Sequence, residues 1–205
     1  MPAVIAKPST HNARNPTSSV AAEFKDLPID ETYSLGTSPI HEHRLCALVI
    51  LVNRFEKSKD EKVRKTIFDT WMKLLGEGHI NNWDLVDTSA PHIVGAWLLK
   101  HDREILRTLA KSTNLWERRI AVLATQAFIR NRQFDDTLEI VSSLLNDPHD
   151  LMHKACGWML RELGKQDLGA LREFLDENVY KMPRTMLRYA IEKMSERERK
   201  EWLKR

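Results

Sequence analysis

From Ile40 onward the apolar residues of this chain recur three and four positions apart, the spacing of a helix face. Leu45, Leu48, Val49, Val52 and Phe55 form one stripe, and Val63, Ile67, Trp71, Leu74 and Leu75 form the next. The same rhythm predicts further helices over about 79–87, 91–101, 103–111, 115–131, 134–145, 149–164, 167–179, 183–194 and 196–204. Start signals agree with this division: Asn114 is placed to cap the helix beginning at Leu115, and Pro183 suits a first turn. The connections are short, so successive helices should pack antiparallel. Residues 1–39 are rich in Pro, Ser, Thr and Asn and show little periodicity, so they read as an irregular or disordered tail, with the ordered domain spanning 40–205.

Composition supports one core or one continuous stack. The chain has 205 residues, 42% of them apolar, and only seven glycines, which leaves the region beyond the tail poor in helix breakers. Cys46 and Cys156 fall within apolar helical patterns far apart in sequence, which fits buried reduced thiols in a cytoplasmic protein better than a disulfide framework. No apolar run approaches the roughly 20 residues needed to cross a bilayer, and no signal-peptide core is present. Residues 1–22 contain no acid, as an organellar presequence would, but two basic residues, Lys7 and Arg14, are thin evidence for one. The formal charge is only +3, yet residues 181–205 carry nine Lys or Arg against four Glu, a patch suited either to phosphate or to a solvated helix face.

A weak internal repeat appears when Arg44-Leu-Cys-Ala47 is laid on Arg118-Arg-Ile-Ala121 and on Lys154-Ala-Cys-Gly157. Helix pairs repeating at about 40 residues are the mark of HEAT-like solenoids, an all-α superhelix with a concave groove, although a non-repeating bundle shares most of these features. In that register Arg119 corresponds to Ala155, and Trp158 lies three residues on, so Arg119 and Trp158 are expected to line one groove from neighbouring repeats. Trp83 and Asp87, four residues apart, share a helix face in the repeat before. Two indoles and an acid suggest a site for a cationic ligand.

Each of these residues also has a structural reading. Trp83 and Trp158 can be core packing, Asp87 a helix-face charge, and Arg119 the partner of Glu117 or of a neighbouring helix. Trp116 reads as packing, while Arg118, Lys154 and Arg161 are open between phosphate contact and surface charge. His149 and His153 have the spacing of a metal pair, but the residues between them lack the Glu of zinc hydrolases and no third ligand is evident, so no metal and no cofactor is expected. Phosphate loops, dinucleotide fingerprints and nucleophile elbows are absent.

Taken together, Ile40-His-Glu-His-Arg44, Asn82-Trp-Asp-Leu-Val-Asp87, Asn114-Leu-Trp-Glu-Arg-Arg-Ile-Ala121, His153-Lys-Ala-Cys-Gly-Trp-Met-Leu-Arg-Glu162 and Met182-Pro-Arg-Thr-Met186 resemble the AlkD family of HEAT-repeat DNA glycosylases, the DNA alkylation repair proteins. The resemblance implies excision of positively charged N3- and N7-alkylated purines from duplex DNA by a monomer, without extrusion of the base into a pocket. It implies a reactive site of Asp87, Trp83, Trp158 and Arg119, with Asp87 stabilising an oxocarbenium-like sugar and Arg119 contacting a backbone phosphate. Arg118, Lys154, Arg161, Arg184 and Arg188 are then the expected DNA-binding residues. The family's additional N-terminal helices have no counterpart in this reading, where the first matching helix follows about forty residues of tail. A non-catalytic HEAT-repeat scaffold that binds DNA or protein is the alternative function.

Overall fold

The computed structural model describes residues 16–205, with side chains from Ser19 on; residues 1–15, the first part of the expected tail, lie outside the described residues. Every regular element among the described residues is a helix, and no helix among them is long and apolar enough to cross a membrane. The chain divides into two compact units, one ending at His79 and one running from Ile80 to Arg205.

The first unit holds α1 (Pro16–Glu23), α2 (Ile29–Gly36), α3 (His41–Lys57) and α4 (Glu61–Gly76). Every residue of α3 from Cys46 to Val52 is buried, so this helix is the unit's core and is apolar all round where its neighbours cover it. The irregular tail expected up to residue 39 is corrected here for residues 16–36, which are largely helical. Pro28 followed by Asp30 and Glu31 is a helix start, since acids in the first turn face the positive end of the helix dipole. The apolar stripe is too thin to reveal α1 and α2 by periodicity: Ala21, Leu27 and Leu35 carry the contact with Cys46, Val49 and Ile50. Specific bonds supply the rest. Arg54 Nη1 donates to the Leu27 carbonyl (2.7 Å) and the Tyr33 hydroxyl to Glu77 Oε2 (2.7 Å).

The second unit begins with α5 (Trp83–Ser89), which passes through a π-helical stretch, Pro91–Gly95, into α6 (Ala96–Leu98). The sequence signals separated these into two helices, yet Ala90 keeps helical angles (φ −60°, ψ −44°) and the backbone runs on. Pro91 has no N–H to offer the carbonyl of Asp87 four residues back, and its ring crowds that carbonyl. The ladder resumes with a wider loop, Gly95 N–H donating to the Ala90 carbonyl at 2.9 Å. There follow α7 (Glu104–Ala110), α8 (Leu115–Ala124), α9 (Gln126–Arg130), α10 (Asp135–Ser143), α11 (Asp150–Gln166), α12 (Leu168–Asn178), α13 (Arg184–Ala190) and α14 (Glu196–Lys204). Two glycines let backbones meet. A Cβ on Gly95 would lie 2.1 Å from the Ala124 carbonyl oxygen, and one on Gly157 would lie 2.5 Å from that of Met186.

The repeat is more regular in space than in sequence. The helices α5, α8, α11 and α13 start at residues 83, 115, 150 and 184. The fourth residue of α8, Arg118, donates to the Ser112 carbonyl (3.0 Å), and the fourth residue of α11, His153, to that of Asp147 (2.6 Å), each reaching six positions back. Arg44, fourth in α3, does the same to Ser38 (2.9 Å). The alignment of Arg44 with Arg118 is therefore right, but its third member is His153, not Lys154. The corrected register puts Asp87, Arg119, Lys154 and Arg188 at the fifth position of successive equivalent helices.

Candidate active site

Fifth positions one repeat apart face each other, which explains why Asp87 and Arg119 meet. Arg119 Nε donates to Asp87 Oδ1 (2.8 Å) and Nη2 to Oδ2 (2.7 Å), a bidentate fork, while Nη1 donates to the Leu151 carbonyl (2.7 Å). One guanidinium thus ties α5, α8 and the first turn of α11 together. The Gly95 approach to Ala124 lies two turns further along, so α5 and α8 run in the same direction at close range, and this proximity permits the fork. The side chain of Arg119 is only 6% exposed and that of Asp87 16%.

These numbers correct the expected role of Arg119. A buried guanidinium with both edges bonded inward is not presented to a phosphate; it holds the acid instead. Burial pushes the Asp87 carboxyl above its ordinary range, and the bonds and charge of Arg119 pull it back towards ionisation, with Asp84 adding a smaller upward push. Without Arg119, desolvation would push the carboxyl further up. The fork leaves the outer lone pairs of both oxygens free, so the accessible edge of Asp87 is an oriented acceptor.

Trp83 stands at the first position of α5, one turn before Asp87, and is 53% exposed, so it is not core packing. Asn82 caps the helix, its side chain accepting from Trp83 N–H at 2.7 Å. Trp158 is half-buried on α11 and donates through Nε1 to Glu162 Oε1 (3.1 Å). No hydrogen bond, ion pair or ring contact joins it to Trp83, Asp87 or Arg119 among the described residues; it lies about two turns along α11 from Leu151, the residue Arg119 reaches. The structure therefore brings Asp87 and Arg119 together, with Trp83 beside them and Trp158 further along.

The five expected DNA-binding residues separate into two groups. Arg118, 14% exposed, donates to Asp147 Oδ2 (2.6 Å) and to the carbonyls of Ser112 and Thr113, and Asp147 also accepts from His149 N–H (2.9 Å). Arg161, 18% exposed, is bonded to Glu192 and to Glu162. Both are clamps, and the expectation of phosphate contact is corrected for them, because Nε, Nη1 and Nη2 of Arg118 and both Nη groups of Arg161 are bonded within the fold. Lys154 is half-exposed and pairs with Asp150 one turn back (2.7 Å), a surface contact that a phosphate can replace. Arg184 is exposed and touches the Leu203 carbonyl, and Arg188 is exposed with no partner among the described residues. Lys154 and Arg188 continue the row begun by Asp87 and Arg119.

Other groups near the site have structural duties. His149 caps α11, accepting from Leu151 N–H (3.2 Å), and His153 is held by the Asp147 carbonyl, so the spacing that suggested a metal pair serves a helix start. The Cys156 thiol is fully buried and pushed up to about 12 by desolvation, which makes it an inert filler. Sequence reasoning missed Pro91, Gly95 and the Leu151 carbonyl. The first two could have been read as breakers inside a helical pattern; a backbone acceptor carries no sequence signal.

No curated protein matches the chain significantly. A solved structure described as a predicted DNA alkylation repair enzyme from Enterococcus faecalis superposes with a TM-score of 0.66 at 18% identity, covering 88% of this chain and 83% of that one, which establishes the shared helical fold. The model of the family described as DNA alkylation repair enzyme matches residues 12–194, a span that includes α1 and α2. Matched over nearly its whole length, the chain belongs to the DNA alkylation repair enzyme family.

Proposed function

We propose that the protein is a DNA glycosylase that excises positively charged N3- and N7-alkylated purines from duplex DNA, acting as a monomer without metal or cofactor. The observation that carries this reading is a carboxylate at a partly open surface, locked in orientation by a buried arginine and set one turn from an exposed indole. A protein that only bound the polyanionic backbone would gain nothing from an acid there.

The chemistry follows from the lesion. An alkylated purine already carries positive charge and departs as a neutral base when its glycosidic bond breaks, while charge develops on the sugar. Asp87 is oriented before the reaction begins, so it stabilises that charge at little reorganisation cost. Its free edge also positions a water whose oxygen bonds to the anomeric carbon and whose proton passes to solvent. The π faces of Trp83 and Trp158 attract the cationic nucleotide, at about 0.5 to 2 kcal/mol each in general. Arg119 keeps Asp87 ionised and aimed, and Lys154, Arg184 and Arg188 meet backbone phosphates.

Incubating the protein with one duplex carrying 7-methylguanine and another carrying uracil, and quantifying released base, tests the proposal. Release of 7-methylguanine with uracil left in place is expected, since no residue of the site protonates a neutral leaving group. Binding of both duplexes with release of neither would make the protein a scaffold, and efficient uracil release would overturn the mechanism.

A further inference from the structure

Resting on the reading of Trp158 as part of the reactive site, we infer that Glu162 is a positioning residue for the reaction, holding the Trp158 indole through its N–H. The two residues lie one turn apart on α11, and Trp158 Nε1 donates to Glu162 Oε1 at 3.1 Å. Glu162 is itself restrained. Lys165 Nζ reaches both its oxygens (2.7 and 2.8 Å), and Arg161 Nη2 reaches Oε1 (3.3 Å). Arg161 is bonded in turn through Nη1 to Glu192, so the chain of contacts from Glu192 to Trp158 joins α11 to the turn after α13.

This arrangement has two consequences for a residue meant to face a cation. An indole has two rotatable bonds, and fixing its polar end decides which part of the ring stays accessible. An N–H drawn towards an anion also leaves more electron density on the ring, which strengthens its attraction for positive charge. The Lys165 and Arg161 charges offset that of Glu162, so its contribution passes through the hydrogen bond and does not create a second free anion competing with Asp87. An ordinary Glu–Lys pair three residues apart would need no bond to the tryptophan and would affect stability by a few tenths of a kcal/mol.

The test compares Glu162→Ala and Glu162→Gln, each alone and combined with Trp158→Phe, in single-turnover release of 7-methylguanine from duplex DNA. Glu162→Ala should slow release by about tenfold to a hundredfold, whereas Glu162→Gln, which keeps an acceptor oxygen in place, should stay close to the parent. In the Trp158→Phe background, Glu162→Ala should cause no further loss. The indole N–H resonance that disappears in Trp158→Phe should move in Glu162→Ala. Parental release rates in Glu162→Ala, an equal loss in the Trp158→Phe background, or an unmoved resonance would each overturn the inference. A parent protein that releases no methylated base refutes the glycosylase reading, and the indole resonance then still decides whether Glu162 holds Trp158.

Discussion

Replacing Arg119 with Ala removes three hydrogen bonds at once and leaves a carboxylate with 16% exposure in place without its counter-charge. Removing one partner of a buried pair costs about 3–5 kcal/mol, much of it the stranded charge. At roughly 2–4 °C per kcal/mol for a chain of this size, the melting temperature should fall by about 6–20 °C at neutral pH. The loss should depend on pH. Because the folded Asp87 carboxyl lies above its ordinary range, its contribution to stability is fully present below the unfolded value and is lost as pH rises through the folded one. Removing Arg119 raises the folded value further, so the deficit relative to the parent should be smallest near pH 4 and grow as pH rises and Asp87 is driven to ionise unpaired. The acid limb of the pH–rate profile should move up in the same variant. Thermal unfolding followed by circular dichroism across this range measures the effect. A drop of less than about 2 °C at pH 7, or a deficit unchanged by acidification, would refute the buried-pair argument.

The remaining expectations separate clamps from contacts. Lys154→Ala and Arg188→Ala should each lower the slope of log affinity against log salt by about one per lost phosphate contact, while Arg118→Ala should leave the slope unchanged and lower the melting temperature through the loss of its Asp147 and carbonyl bonds. A reduced slope in Arg118→Ala would place it on the DNA. Gly95→Ala puts a methyl group 2.1 Å from the Ala124 carbonyl oxygen; the π-helical stretch and α8 must separate, so stability should fall by about 1–3 kcal/mol and excision should fall with it. Parental stability would show that the contact relaxes freely.

What the sequence disclosed depended on whether a residue's role is set by its own helix or by a neighbour. The helices beyond Ile40 were legible because each buries a broad apolar stripe, and Trp83 and Asp87 could be placed on one face from spacing alone. The helix α2 was not, since its buried residues are Thr32 and Gly36 and the apolar Leu35 is only partly covered. Arg118 and Arg161 stayed open between phosphate contact and surface charge, and Arg119 between a phosphate and a neighbouring helix, because a sequence records the charge of an arginine and not where its guanidinium ends. Their partners lie 29 to 32 residues away in Asp147, Asp87 and Glu192, about one repeat, a distance that becomes meaningful only once helix starts are known. The π-helical stretch was half visible: the helical pattern was divided between 87 and 91, but whether the chain turns there or widens its ladder is decided by packing against α8.

The central claim is that Asp87 acts on the sugar of a cationic lesion. The most direct measurement is single-turnover release of 7-methylguanine by Asp87→Asn beside the parent, with affinity for the same duplex measured in parallel. The isosteric amide keeps the size of the side chain and loses the charge, so release should fall at least about a hundredfold, while affinity stays equal or rises slightly as a negative group leaves the DNA-facing surface. Release at the parental rate by Asp87→Asn would contradict the account.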